Sequence, residues 1–406
     1  MKKSLVAFAV LSAIAGAASA QSSVTVFGVV DLSANNWKLG SQSQNRLDSN
    51  MMNSNRLGVR GVEDLGGGMS ANFHLEGGMD NSMGQGGNGV VNSVNNGTTT
   101  GVFAFERKST VGIAGSFGEI RLGRDYTSAF GNAATFDVYG ANGMATTINL
   151  YLGGYNGPAA MGSNANTVVR ANNMIAYYLP AGLGGFYGSL QVAAGENTRG
   201  QTFVAGDATK GTNNINASSG VSGTGYMGGL LGYAAGPINV GLGFNTTKAA
   251  AGAGTAAAPF TTADYKLTNI GGSYDFGAVK VLGLWNQAKY GVKSYTVTQI
   301  SASIPMGQGE IKASWARGDA AGGGTDANDA TLMGAEYIYN LSKRTALYTQ
   351  FGQLKNAAAN KVGGSFASII GGGTTNVGQG GIQIATEIAA GGFKSTGYGV
   401  GVRHSF

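Results

Sequence analysis

Apolar and polar residues alternate in short runs along this chain. From Met69 to Glu76 the odd-numbered positions are apolar and the even-numbered positions are polar. Between Ile238 and Asn245 the apolar residues occupy the even-numbered positions instead. Because successive side chains of a β-strand point to opposite faces, each run predicts a strand with one apolar face and one polar face.

Short turns and longer polar stretches separate these runs in regular alternation. The seven short turns centre on 66–68, 116–118, 181–185, 235–237, 276–278, 306–309 and 341–344. Eight longer stretches lie near 34–54, 80–102, 126–168, 196–222, 247–265, 289–294, 319–328 and 355–393. This pattern predicts an all-β fold, a transmembrane antiparallel β-barrel of about 16 strands with both chain ends on the short-turn side. No domain boundary interrupts it, so we expect residues 21–406 to form one barrel domain.

The first twenty residues have the layout of a secretory signal. Lys2 and Lys3 precede an apolar run over 5–18, and Ala18-Ser19-Ala20 provides the small-residue cleavage site. We therefore expect residues 1–20 to be a signal peptide cleaved after Ala20. No apolar run of helix length follows, so a membrane crossing would have to use strands.

Composition narrows the possible functions. Glycine accounts for 72 of 406 residues and charged residues for only 11%, which suits a wall with one lipid face and one wet face. Cysteine is absent and the two histidines are His74 and His404, so we expect neither an enzyme nor a cofactor. The 26 basic against 20 acidic residues are too dispersed to indicate a nucleic-acid partner. Three loop acids, Asp319, Asp326 and Asp329, could bind Ca²⁺, although a solvated loop explains them as well.

Four segments are similar to the Gram-negative general porins of β-proteobacteria. They are Ser23-Val24-Thr25-Val26-Phe27-Gly28, the run from Arg56 to Gly66, Arg121-Leu122-Gly123-Arg124-Asp125 and the terminal Phe406. The resemblance covers nearly the whole chain after the signal peptide. It implies a homotrimer in the cell outer membrane, in contact with outer-membrane lipid and lipopolysaccharide, with a third loop folded inward to form a constriction.

The stretch 126–168 occupies the position of that third loop. Between 128 and 168 its only acid is Asp137. Strand parity gives candidates on the facing wall: with Leu57 and Val59 toward lipid, Arg56 and Arg60 face the lumen.

Parity leaves the fourth strand open, because outward Val111 and Ile113 turn Lys108 inward whereas a bulge would select Arg107. The resemblance implies constriction arginines at Arg56, Arg107 and Arg170, with Glu76 as the nearby acid. The full predicted constriction set is Arg56, Arg60, Glu76, Arg107, Lys108, Asp137 and Arg170.

The predicted function is passive diffusion of small hydrophilic solutes and ions, with a preference for anions because bases outnumber acids in the narrow zone. A substrate-specific channel is the main alternative, but it would need a dense aromatic or charged ladder, and the chain has only three Trp. A barrel adhesin or an outer-membrane enzyme is a further alternative. Failure to conduct ions in a lipid bilayer would favour an adhesin or an enzyme over a porin.

Overall fold

A computed structural model of the protein describes residues 23–39, 42–81, 85–86, 103–151, 167–194, 225–251, 261–322, 329–357 and 394–406. The signal peptide expected at 1–20 and Asp326 of the possible Ca²⁺ site lie outside these ranges. Within them, no helix is long and apolar enough to cross a membrane.

The described residues form eighteen strand segments in one antiparallel sheet. They are β1 (Ser23–Leu39), β2 (Gln42–Ser49), β3 (Arg56–Gly66), β4 (Met69–Asp80), β5 (Gln85–Gly86), β6 (Lys108–Gly115), β7 (Gly118–Tyr126), β8 (Arg170–Tyr178), β9 (Phe186–Ala194), β10 (Gly225–Ala235), β11 (Ile238–Ala251), β12 (Thr261–Asp275), β13 (Lys280–Tyr290), β14 (Lys293–Met306), β15 (Gly309–Ala321), β16 (Ala330–Asn340), β17 (Thr345–Asn356) and β18 (Lys394–Ser405).

Sixteen of these segments form the closed barrel wall. The wall closes where β1 pairs with β18 along one edge and with β3 along the other. The two extra segments are β2, which pairs with the distal half of β1, and the two-residue β5 beside β4. The predicted sixteen-stranded antiparallel barrel is therefore confirmed, and all seven short turns lie where the sequence pattern put them.

Two predicted loops differ from the structure. The stretch 34–54 is largely a hairpin, because β1 continues to Leu39 and β2 returns along it. The stretch 289–294 is a tight turn at 291–292 between β13 and β14. Polar composition marked both as loops, but backbone pairing beyond the membrane tolerates polar side chains on both faces of a strand.

The barrel wall has the two faces that the alternation predicts. Outward side chains are apolar and exposed, such as Leu190 at 64% and Ile300 at 60%. Inward side chains include many amides and hydroxyls that are fully covered, such as Asn269 and Thr247 at 0%. They are covered because part of the connection between β7 and β8 lies inside the barrel, where it forms α1 (Ser128–Phe136) and the single turn α2 (Ile148–Tyr151).

Candidate pore constriction

Helix α1 is anchored to the inner wall at both ends. It begins at the N-cap Thr127, whose hydroxyl accepts a hydrogen bond from the Phe130 amide. Ser128 makes two contacts with the wall. Its amide donates to Gln191 Oε1 at 2.8 Å, and its hydroxyl lies 2.8 Å from the hydroxyl of Ser189. Further along, Asn132 Nδ2 donates to Asn269 Oδ1 at 2.7 Å. The third loop is therefore folded inward, as expected.

Glycines in the wall make room for this loop. A Cβ atom on Gly271 of β12 would overlap the ring of Phe136, which is 0% exposed at the end of α1. Five strands farther around the barrel, a Cβ on Gly352 of β17 would lie 2.7 Å from Met144 Cβ, closer than real Cβ contacts allow. The loop thus runs inside the lumen from β9–β12 to β16–β18, and at these two positions the wall has no side chain that would block it.

The carboxylate of Asp137 joins two parts of the third loop to each other. Its Oδ2 accepts hydrogen bonds from Thr146 Oγ1 at 2.8 Å and from the amide and hydroxyl of Thr147, both at 2.7 Å. Its Oδ1 accepts from the Tyr139 amide at 3.0 Å. Asp137 is only 4% exposed, and among the described residues no ion pair joins it to a base. Of the predicted constriction residues, it is the one that the structure does not bring to the basic wall.

A second inward segment supports the loop tip. Residues 50–55, between β2 and β3, bend into the lumen, and Asp31 Oδ2 holds them by accepting from the Met52 amide at 2.7 Å. Ser54 Oγ then donates to Asn142 Oδ1 of the loop at 2.8 Å.

Burial raises the pKa of Tyr139 and Tyr151 in the loop, so neither phenol carries a negative charge at neutral pH.

The wall facing the loop carries the predicted bases around Glu76. The register pairs Arg60 with His74 and Gly58 with Glu76, whereas Val59 pairs with Leu75 on the lipid face. Arg56 Nη1 lies 3.7 Å from Glu76 Oε1. Arg60 does not reach this carboxylate, and its guanidinium lies 5.1 Å from the ring centroid of Phe27, which shares the lumen face.

Lys108 and Arg107 are the two candidates that parity leaves open for the fourth barrel strand, which is β6. Both lie near Glu76. Lys108 is directly opposite Glu76 in the register, but its Nζ turns to Asp125 Oδ2 at 2.9 Å. Arg107 precedes β6, and its Nε donates to Glu76 Oε1 at 2.7 Å while the side chain is 4% exposed. The question of register therefore does not separate them: Lys108 follows strand parity and Arg107 reaches the same carboxylate from just outside the strand.

Arg170 joins this group through a tyrosine. Its Nη2 donates to Tyr126 Oη at 2.9 Å, and Arg107 Nη2 donates to the same oxygen at 3.0 Å. Simple parity would also turn Asn172 inward, but Asn173 has a positive φ of 51° and the β7–β8 register shifts nearby. Asn172 is consequently exposed and accepts a hydrogen bond from Arg124.

Sequence reasoning missed two parts of this wall. Arg121 forms ion pairs with Asp125 at 2.6 Å and Glu119 at 2.8 Å. Its inward position could have been inferred, because Leu122 reads as a lipid-facing residue. The role of Tyr126 had no such indication, since the bulge before it breaks the alternation.

Among the described residues, no group of three or more acids and histidines is placed to hold a metal ion.

A closed barrel with an apolar outer face, an inward loop and a basic inner wall defines a transmembrane channel of the porin class. A family model for Gram-negative porins matches residues 7–359. The chain is 36% identical over 414 residues to outer membrane porin protein 32 of Delftia acidovorans, with 100% of each chain covered. It is 30% identical to a solved structure described as an anion-selective porin from Comamonas acidovorans, with a TM-score of 0.72 and coverage of 95% of this chain and 100% of that one.

A more distant structure has the same fold. The trimer form of OmpT from Vibrio cholerae is 13% identical, with a TM-score of 0.55 and coverage of 95% of this chain and 99% of that one. Taken with the family match, these likenesses identify the chain as a member of the Gram-negative porin family. It is an outer-membrane diffusion channel and not an enzyme.

Proposed function

We propose that the channel prefers anions, and that its narrowest part lies between the third loop and the wall carrying Arg56, Arg60, Arg107 and Arg170. The observation that supports this proposal is a charge imbalance. Among the described residues, four arginines share this part of the wall with the carboxylate of Glu76, which pairs with Arg56 and Arg107, so about three positive charges are left uncompensated. The relative described as an anion-selective porin supports the same direction.

The other charges near this wall that the structure describes are largely balanced, and Arg124 interacts with Glu106. Lys108 and Arg121 are matched by Asp125 and Glu119 at ion-pair distances. On the loop side, the carboxylate of Asp137 is enclosed by hydrogen-bond donors, so it makes a weak partner for a passing cation. The uncompensated charge is thus concentrated in the arginine group.

The arginines should raise the anion concentration in the narrow zone. At an effective dielectric of about 20, two unit charges about 4 Å apart interact by about 4 kcal/mol before the ion's hydration loss is subtracted. Small hydrophilic solutes and anions would pass without energy input. The preference should be largest at low salt, where the Debye length is about 30 Å at 0.01 M.

Reversal potentials across planar bilayers in a KCl gradient test this proposal. The wild type should be anion-selective, and Arg56→Gln, Arg107→Gln and Arg170→Gln should each reduce the preference and together abolish it. Lys343→Gln is the matched control, because Lys343 is an exposed base in the short turn between β16 and β17.

Two results would count against the assignment. A cation-selective wild type would overturn the proposed preference. Anion selectivity that persists in the triple variant, with unchanged conductance, would place the selective charges elsewhere in the lumen.

The assembly and processing expected from the sequence belong to the same proposal. We expect a homotrimer in contact with outer-membrane lipid and lipopolysaccharide, made of residues 21–406 after loss of the signal peptide 1–20. Since a closed barrel exposes no strand edge, the trimer should resist SDS at room temperature and unfold to a monomer on boiling. Migration of the unheated protein as a monomer would contradict the trimer, and an intact mass that includes residues 1–20 would contradict the processing.

A further inference from the structure

Three neighbouring strands share a layered pattern on their outward face. Toward the end that carries the long loops, each has an apolar residue, then Thr or Gln, and then Lys at successive outward positions. The three series are Phe244-Thr246-Lys248 on β11, Ile270-Thr268-Lys266 on β12 and Trp285-Gln287-Lys289 on β13. We call the three lysines the outer lysine patch.

The burial pattern shows that the patch faces away from the lumen. The residues next to each lysine along the strand are covered inside the barrel, with Thr247 and Ala288 at 0% and Leu267 at 1%. The lysines alternate with them and are exposed. The apolar member on β12, Ile270, is 55% exposed on the same outer face. The patch therefore continues the lipid-facing band of the barrel.

The height of the patch matches the lipid headgroups. Nine residues separate Lys289 from Lys280 at the short-turn end of β13, which is about 30 Å along a strand and about 21 Å along the membrane normal at a tilt of about 45°, close to the height of about 25 Å of the apolar band of such barrels. Long lysine side chains at that level place their ammonium groups in the polar layer and leave their methylenes in apolar surroundings. The intermediate Thr and Gln positions fit the boundary between the two layers.

The patch also contains a like-charge pair that no described residue neutralises fully. Lys266 is directly opposite Lys289 in the β12–β13 register, and like charges in that arrangement repel. The acid on the same surface is Asp264, which is opposite Lys248 and whose Oδ2 lies 3.9 Å from Lys266 Nζ. That pair is long, with side chains 58% and 44% exposed, so it contributes little. Among the described residues, no ion pair involves Lys289.

A similar arrangement recurs on β17 and β18. The outward positions there are Phe351-Gln353-Lys355 and Tyr398-Thr396-Lys394. Lys355 is again directly opposite Lys394. The recurrence of an opposed lysine pair on a second pair of strands favours binding of an external anion at such pairs.

We propose that Lys248, Lys266 and Lys289 bind the phosphate groups of lipid A, the membrane anchor of lipopolysaccharide, in the outer leaflet. A phosphate between Lys266 and Lys289 accepts hydrogen bonds from both ammonium groups and removes their repulsion. The acyl chains of the same molecule lie against Phe244, Ile270 and Trp285 below. The inference specifies the lipopolysaccharide contact of the proposed function and does not depend on the ion preference of the channel.

Lipid titration followed by native mass spectrometry tests the patch. The probes are diphosphorylated lipid A, the same lipid without its phosphates, and inorganic phosphate as a competitor. Neutralising one surface lysine should weaken lipid A binding about fivefold, so Lys266→Gln with Lys289→Gln should weaken it about 30-fold. The control double variant, Lys343→Gln with Arg344→Gln, removes two exposed bases from the short-turn end and should bind as the wild type does.

Three outcomes would overturn the proposal. They are unchanged affinity in the Lys266/Lys289 double variant, equal wild-type affinity for the lipid without phosphates, and displacement of lipid A by millimolar inorganic phosphate, which would indicate a free-anion site. Single-channel conductance and reversal potential of the same double variant should equal those of the wild type. Normal conduction with lost lipid binding supports the patch whether or not the channel proves anion-selective.

Discussion

Asp137 could act as a charge of the pore or as a structural residue that holds the third loop together. Its replacement by Ala separates these two roles. Four donors lose their acceptor: the Tyr139 and Thr147 amides and the hydroxyls of Thr146 and Thr147. The hydroxyls can rotate toward other acceptors, but the two amides are fixed by the backbone. A buried donor left without a partner costs about 1–3 kcal/mol, so we expect the folded loop to lose about 2–6 kcal/mol.

That loss should appear as channel noise. A destabilisation of about 2 kcal/mol raises the population of the undocked loop about 30-fold. Because the loop fills part of the lumen, each undocking event should increase the current. Single-channel recordings of Asp137→Ala should therefore show frequent brief steps to higher conductance, and Asp137→Asn should show fewer, since its amide oxygen can still accept from the Thr147 amide.

The reversal potential gives the opposing readout. If Asp137 is structural, Asp137→Asn should change selectivity little, because its carboxylate already accepts four hydrogen bonds from donors within the loop. Asp264→Asn removes an exposed carboxylate from the outer face and should change neither noise nor selectivity. A quiet Asp137→Ala channel with a clear shift toward anions would refute the structural role and make Asp137 a constriction charge.

Three further outcomes follow from the same geometry. Gly271→Val should displace Phe136 and lower the heat stability of the folded barrel by about 1–3 kcal/mol, measured by the band shift on SDS gels, whereas Gly272→Val on the lipid face should not, because its nearest contact is an ordinary 3.6 Å. Glu76→Gln should strengthen anion selectivity in the KCl-gradient assay, since it removes the one acid among the four arginines. Deletion of residues 141–160 should raise single-channel conductance, and an unchanged value in a folded variant would contradict a loop-limited pore.

The parts of the fold that alternation controls could be predicted from the sequence. The lipid-facing residues depend on a period of two, and the number of strands follows from the alternation of short turns with longer polar stretches; local composition records both directly. The inward third loop came from resemblance, because its contacts with the wall join residues more than a hundred positions apart, as Asn132 and Asn269 do. No local pattern contains that pairing.

The candidate site was predictable only where strands are regular. Arg56 and Arg60 follow the parity of β3, and the register opposite β4 agrees with it. Arg170 and Tyr126 pair on the far side of the register shift between β7 and β8, so their contact depends on an irregularity that parity cannot detect. The sequence groups Asp137 with the pore charges because it is the one acid of its stretch, whereas the donors around its carboxylate are set by tertiary structure and leave no local pattern.

Glycine connects the composition to the pore. Lumen-facing Gly271, Gly334 and Gly352 lie where the third loop contacts the wall, and a Cβ at each would meet Phe136, Ala145 or Met144. Such positions are neither polar nor apolar, so they weaken the alternation of β12, β16 and β17 at the very places where the loop docks. In β12, β16 and β17 the interrupted alternation therefore coincides with the places where the loop contacts the wall. Larger residues at these positions would restore a cleaner pattern and force the loop out of the pore.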